Sequence, residues 1–227
     1  MGWDWGLWEP MLHLKQLGVA LSWVSIVLVL AACATPSVPS DFKLNADSEK
    51  GLLIGSITYQ GRYSAYQVLY RSDDGKTVGH VQTGEGVVLI PYFPKGDFGV
   101  IGQKGDLFAI ELPPGEYTFN SWRIYSGNAT VTPVNDFDIG FEIRPGSALY
   151  MGNFNFRQTH GLGLTVTGAV VTYSDQFDRD MDLFKKKYEN LEVENIYKGL
   201  EDNFVAEMLG GSDRTRFDMP PIFILTN

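Results

Sequence analysis

The chain is nearly devoid of cysteine, with one in 227 residues, Cys33. No intramolecular disulfide and no cysteine-based metal cluster can form. Histidine is almost as scarce, with three. No His-x-His or His-x-x-x-His spacing occurs, so a zinc site would have to recruit distant carboxylates around His80 or His160. Basic residues are outnumbered, 18 Lys and Arg against 27 Asp and Glu, for a formal net charge of −9. That balance runs against nucleic-acid binding, which needs a basic stripe. What the chain does have is 44% hydrophobic residues, 13% aromatics and 25 glycines. This composition excludes a disordered or polytopic membrane protein and favours strands and tight turns over a helical bundle.

The stretch Leu17 to Ala32 carries no charge and ends immediately before Cys33. As a helix rising about 1.5 Å per residue it falls short of the roughly 30 Å of a bilayer core, but it suits a signal-peptide core. Lys15 supplies the positive flank. Leu30-Ala31-Ala32-Cys33 resembles a bacterial lipobox, in which an aliphatic and two small residues precede the cysteine. The resemblance implies signal-peptidase cleavage between Ala32 and Cys33 and diacylglyceryl transfer to the Cys33 thiol. A third acyl chain on the freed amine would make the anchor stable, since one chain binds only marginally. Residues 1–10 carry Asp4, Glu9 and three tryptophans, unlike a basic leader, so Met11 is the expected start. Ala34, where an Asp would favour inner-membrane retention, implies an outer-membrane lipoprotein facing the periplasm.

The expected organisation is a leader over 1–32, a lipidated cysteine and tether over 33–50, a β-sandwich over 51–173, and helices with a tail over 174–227. The tether reading comes from the two prolines and polar residues of 34–50. Strand-like runs follow at 52–59, 63–71, 86–90, 106–112, 116–125, 138–144, 148–156 and 164–173, separated by turn residues such as Ser72-Asp73-Asp74-Gly75. With no helical pattern between them, these runs predict an antiparallel β-sandwich, prealbumin-like or Ig-like. Glu111-Leu-Pro-Pro-Gly115 and Glu142-Ile-Arg-Pro-Gly146 echo one another and predict two hairpin turns. The segment Asp106–Tyr117 with Phe141–Phe154 resembles uncharacterised bacterial lipoproteins in which a lipobox precedes a prealbumin or carboxypeptidase-regulatory-like sandwich. The resemblance implies no activity.

Beyond Tyr173 the period changes. Phe177, Met181, Phe184 and Tyr188 fall on one helical face, with Ser174 or Asp175 to cap it, acids early and Lys185 to Lys187 late. A second helix is expected over Asn195–Leu209, completing a C-terminal helical hairpin. Asp178, Asp180, Asp182 and Glu189 imitate an EF-hand, but Leu183 stands where the loop requires glycine, so these acids read as a solvated helix start.

No Gly-x-Ser-x-Gly, no Ser-x-x-Lys with its partners and no P-loop is present, so neither catalytic residues nor a cofactor nor a metal is expected. Many aromatics belong to the core by strand alternation, but Tyr92, Phe93, Trp122 and Tyr125 form a candidate ligand or partner face. The leading expectation is a non-catalytic, membrane-anchored envelope lipoprotein that binds or assembles with an envelope complex. A module for a glycan or small hydrophobic ligand is the alternative, and a hydrolase without a readable motif comes third.

Overall fold

The computed structural model describes residues 37–86, 96–191 and 196–218, all within the unit Thr35–Asn227. Among them, twelve strands make two six-stranded sheets. The first contains β1 (Gly51–Gln60), β4 (Lys104–Leu112), β8 (Ala148–Leu162), β9 (Thr165–Ser174), β10 (Ile196–Lys198) and β11 (Val205–Ala206), in the order β11-β9-β8-β1-β4 with β10 also on β8. The second contains β2 (Ala65–Ser72), β3 (Val78–Thr83), β5 (Gly115–Ser126), β6 (Ala129–Pro133), β7 (Ile139–Ile143) and β12 (Asp213–Phe217). Its order is β12-β6-β5-β2-β3, with β7 also on β5. The protein is mainly β, as the turn and strand signals indicate. The run expected at 86–90 lies, from 87 on, outside the described residues.

One hydrophobic core lies between the sheets. Leu53, Ile57, Phe154, Phe156, Val171 and Tyr173 from the first meet Tyr66, Val68, Tyr70, Phe119, Trp122 and Ile124 from the second. Alternation places these side chains on one face of each strand, except in β5, where the irregularity that pairs Leu69 with Ser121 but Tyr70 with Phe119 brings Phe119 into line with Trp122 and Ile124. Aromatic pairs tie the layers together, including Trp122 edge-on to Phe156 at 5.9 Å and Phe119 edge-on to Phe154 at 5.2 Å.

Several expectations are corrected. The first sheet is mixed, because β1 and β10 both run parallel to β8. Neither Pro-Gly step makes a hairpin. Gly115 opens β5 after β4, and Gly146 separates β7 from β8, so each carries the chain from one sheet to the other. The positive φ at both glycines (149° and 63°) permits these corners. The Tyr117 hydroxyl pins the first by donating to the Pro113 carbonyl at 2.9 Å. β3 and β6 are short strands that the sequence reading left out; β3 completes a hairpin across Gly75 (φ 71°).

The helical hairpin is not formed: one α-helix, α1 (Phe177–Lys187), stands among the described residues. In place of the second helix, Ile196–Lys198 pairs with Ala148–Tyr150, and Val205–Ala206 pairs with the end of β9. The β8 backbone at 148–150 lies beyond the reach of β9, whose pairing begins at Asn153, and its polar groups need a partner. That demand overrides a helical period, and the positive φ of Asn203 (58°) and Met208 (51°) breaks any helix there.

A second, smaller core covers the outer face of the first sheet. Met181, Leu183, Phe184 and Tyr188 of α1 pack on Leu52, Ile54, Leu107 and Tyr150. Val38, Phe42 and Leu44 join them. The Val38 amide donates to the Ala109 carbonyl at 2.7 Å, and Asn190 Nδ2 donates to the Asp41 carbonyl at 3.1 Å. Within the segment read as a tether, residues from Ser37 onward therefore lie on the folded domain.

Candidate functional site

The outer face of the first sheet changes character along its strands. Leu52 and Ile54 lie beneath α1 and its neighbours, but the next residues on the same face of β1 are Ser56 and Thr58. Strand register extends each into a row. Ser56 stands beside Asn153, which stands beside Ser174; Thr58 stands beside Asn155, which stands beside Thr172. The alignment depends on an irregularity in β8: Ile54 pairs with Tyr150 whereas Ser56 pairs with Asn153. Gly152, at φ 77°, absorbs the extra residue and turns Asn153 onto the polar face.

Thr58, Asn153, Asn155, Thr172 and Ser174 of these rows line the floor of a polar cleft of about 490 Å³, rimmed by Gln60, Gln103 and Lys104 and bounded by Gln176 and Arg179, while Ser56 is fully buried. The floor is wired by hydrogen bonds. Asn155 Nδ2 donates to Thr58 Oγ1 at 2.7 Å, and Thr58 Oγ1 donates to Asn153 Oδ1 at 3.2 Å. Asn153 Nδ2 donates to Ser56 Oγ at 2.8 Å, and Ser56 Oγ donates to Asp180 Oδ2 at 2.6 Å.

Asp180 terminates the chain with no exposure to solvent. The Tyr150 hydroxyl donates to its Oδ2 at 2.7 Å, and Arg179 Nε and Nη2 donate to Oδ1 at 2.9 and 2.7 Å. Burial pushes the Asp180 carboxyl upward, while Arg179, Ser56 and Tyr150 pull it back. Burial and the neighbouring Asp180 charge push the Tyr150 hydroxyl far up, so it remains a protonated donor. Arg179 also stacks over Phe98 at 4.8 Å and reaches Gln103 Oε1 at 3.4 Å. The expectation that the early acids of α1 are all solvated is thus corrected: Asp178 and Asp182 are exposed, but Asp180 faces the sheet. No group of three or more metal-ligating side chains occurs among the described residues.

The residues nominated from sequence fall elsewhere. Trp122 is fully buried in the inter-sheet core, its Nε1 donating to the Leu209 carbonyl at 2.7 Å. Tyr125 is half-buried on β5, with the Arg123 guanidinium 4.6 Å from its ring centre. Tyr92, Phe93, Ala32 and Cys33 lie outside the described residues. His160 is exposed and 3.1 Å from the Thr159 hydroxyl. His80 lies at the sheet edge on β3, where burial and then Arg123 hold its pKa down. No motif announces the cleft, because its floor joins β1 to the β8–β9 pair, with Thr58 and Asn155 97 residues apart in the chain. The available signal was the polar alternation of Ser56 and Thr58 inside an otherwise apolar strand.

Comparison of the chain with protein-family models, with curated proteins and with solved structures finds no match.

Proposed function

We propose that this chain is a non-catalytic lipoprotein of the bacterial envelope, anchored through an acylated Cys33 and using its folded domain as a binding module. The single observation that carries the binding role is the open polar cleft, whose floor is held by a buried ion pair. A fully buried carboxylate is costly to retain for stability alone. Here it orients side chains that line a space of small-molecule size, which spans roughly 300–1,000 Å³. The Ser56 hydroxyl beside Asp180 is itself buried, so the pair has no exposed surface at which to attack a substrate.

The anchoring role rests on the uncharged run ending in Leu30-Ala31-Ala32-Cys33. Ala34 favours the outer membrane, with the domain in the periplasm. Ser37 and Val38 bond to β4, so the chain belongs to the folded domain from Ser37 onward. A sandwich related to the prealbumin-like or Ig-like type is the fold reading that goes with this function. It is supported by two sheets sharing one core and by two corner crossings.

The test is metabolic labelling with radioactive palmitate, with intact mass on the purified protein. Acylation of the parent and its loss in Cys33→Ser support the anchor. An unmodified Cys33 in a protein exported by its native host overturns it.

A further inference from the structure

We propose that the polar cleft binds an uncharged, hydroxyl-rich ligand, a short neutral oligosaccharide, and that Asn155 Oδ1 receives one of its hydroxyl protons. This inference rests on reading the folded domain as a binding module. It is independent of the anchor.

The argument begins at Asp180. An ionised carboxylate can only accept, and Arg179, cationic at any ordinary pH, bonds its Oδ1. Ser56 must therefore donate to Oδ2, which leaves its oxygen to accept from Asn153. Asn153 must present its NH2 to Ser56 and its carbonyl oxygen to Thr58. Thr58 spends its proton on that oxygen and so accepts from Asn155 Nδ2. Every donor direction is set in turn by one buried charge. At the open end the Asn155 amide is left with Oδ1 outward in the chain of bonds, where no hydrogen bond to it is found among the described residues.

The cleft thus asks its ligand for a donor at Asn155. Beside it, Thr172 supplies a hydroxyl that can donate or accept, and Gln60 and Gln103 supply amides that do both. Such a mixture matches sugar hydroxyls, each of which donates and accepts. It does not call for an anion: the Arg179 charge is already met by Asp180 and the floor itself is neutral, with Lys104 at the rim bonded through Nζ to the Gly61 carbonyl at 2.8 Å. It does not match an apolar ligand either, since the floor consists of Ser, Thr and Asn.

The protein as purified from its native host, in a non-glycosidic detergent, is to be titrated calorimetrically with maltotriose, chitotriose, glucuronate, inorganic phosphate and indole. The expected result is binding of at least one trisaccharide and none of the other three. Affinity should fall about tenfold or more in Asn155→Leu, which keeps the size of the side chain and removes the acceptor, and in Thr172→Val. Retention of the parental Tm in either variant suffices for the comparison.

Three results overturn the proposal: no trisaccharide binding, binding of glucuronate, phosphate or indole in their place, or unchanged affinity in the variants. Binding of one of the other probes, lost in Asn155→Leu, would remove the ligand class and keep the binding module. Silence from all five removes both, and the acyl mass of the same sample reports on the anchor separately.

Discussion

The Ser56 hydroxyl donates a 2.6 Å hydrogen bond to Asp180 across 124 residues of chain, joining β1 to α1 over the first sheet. Among the described residues Arg179 is the one cation bonded to that carboxylate, so the Arg179–Asp180 pair should govern both the stability of α1 and the order of the cleft floor.

Replacing Arg179 by Met should therefore leave a buried negative charge without its partner. The expected cost is about 3–5 kcal/mol at neutral pH, measured by urea denaturation. Because burial already raises the Asp180 pKa, the variant should recover part of this loss as pH falls and the carboxyl takes up a proton. A cost equal at pH 7 and pH 4 would contradict the assignment.

Asp175 should behave with the opposite sign. Burial pushes its carboxyl up, but Lys198 at 2.7 Å and the amides of Phe177 and Asn203 outweigh this and hold it lower. Its stabilisation is then complete above the ordinary aspartate value of about 3.9 and fades as pH falls through the lower folded value. Asp175→Asn should cost up to about 1 kcal/mol at pH 7, after solvent screening, and nearly nothing at pH 2. Parallel urea melts of parent and variant across that range would check it.

Trp122 is the sole tryptophan from Cys33 onward, the other four standing in residues 1–32. A cleaved protein should show blue-shifted emission that iodide cannot quench, shifting red on unfolding. Trp122→Phe should lose about 1–3 kcal/mol, because the Leu209 carbonyl loses its donor, and should leave ligand binding in the cleft unchanged. An iodide-accessible tryptophan in the folded protein would place this side chain at a surface instead of in the core.

Gly146→Ala should be strongly destabilising for a backbone reason. At φ 63° a side chain is disfavoured, and an added Cβ would come within 2.3 Å of the Ala46 carbonyl oxygen. A loss of about 2 kcal/mol or more in Tm-derived stability is expected. Gly75→Ala meets no neighbour within 4 Å and should cost less, leaving only the strain of φ 71°.

The strands and α1 were legible because their signals are local. The short, largely apolar run Leu52–Tyr59 and the 3.6-residue period through Phe177, Met181, Phe184 and Tyr188 act within a few residues. The Asn195–Leu209 period was just as visible, yet the open backbone of β8 at 148–150 recruited Ile196–Lys198 as a strand. Hydrogen-bond demand from a distant strand cannot be read in the segment that satisfies it. The Pro-Gly steps show the same division: the turn residues were evident, but whether each turn stays in one sheet depends on where both strands pack.

The cleft belongs wholly to this second category. Composition, charge and the placement of one cysteine before a short apolar run are properties of the chain, and they determined the expected class and the proposed anchor. The Ser56–Asn153–Ser174 and Thr58–Asn155–Thr172 rows exist only through parallel pairing of β1 with β8 and the irregularity at Gly152. The burial of Asp180 likewise follows from the packing of α1 on that sheet, where Ser56 and Tyr150 meet its carboxylate. Local patterning selects the elements, whereas long-range register decides which of their polar side chains stand together.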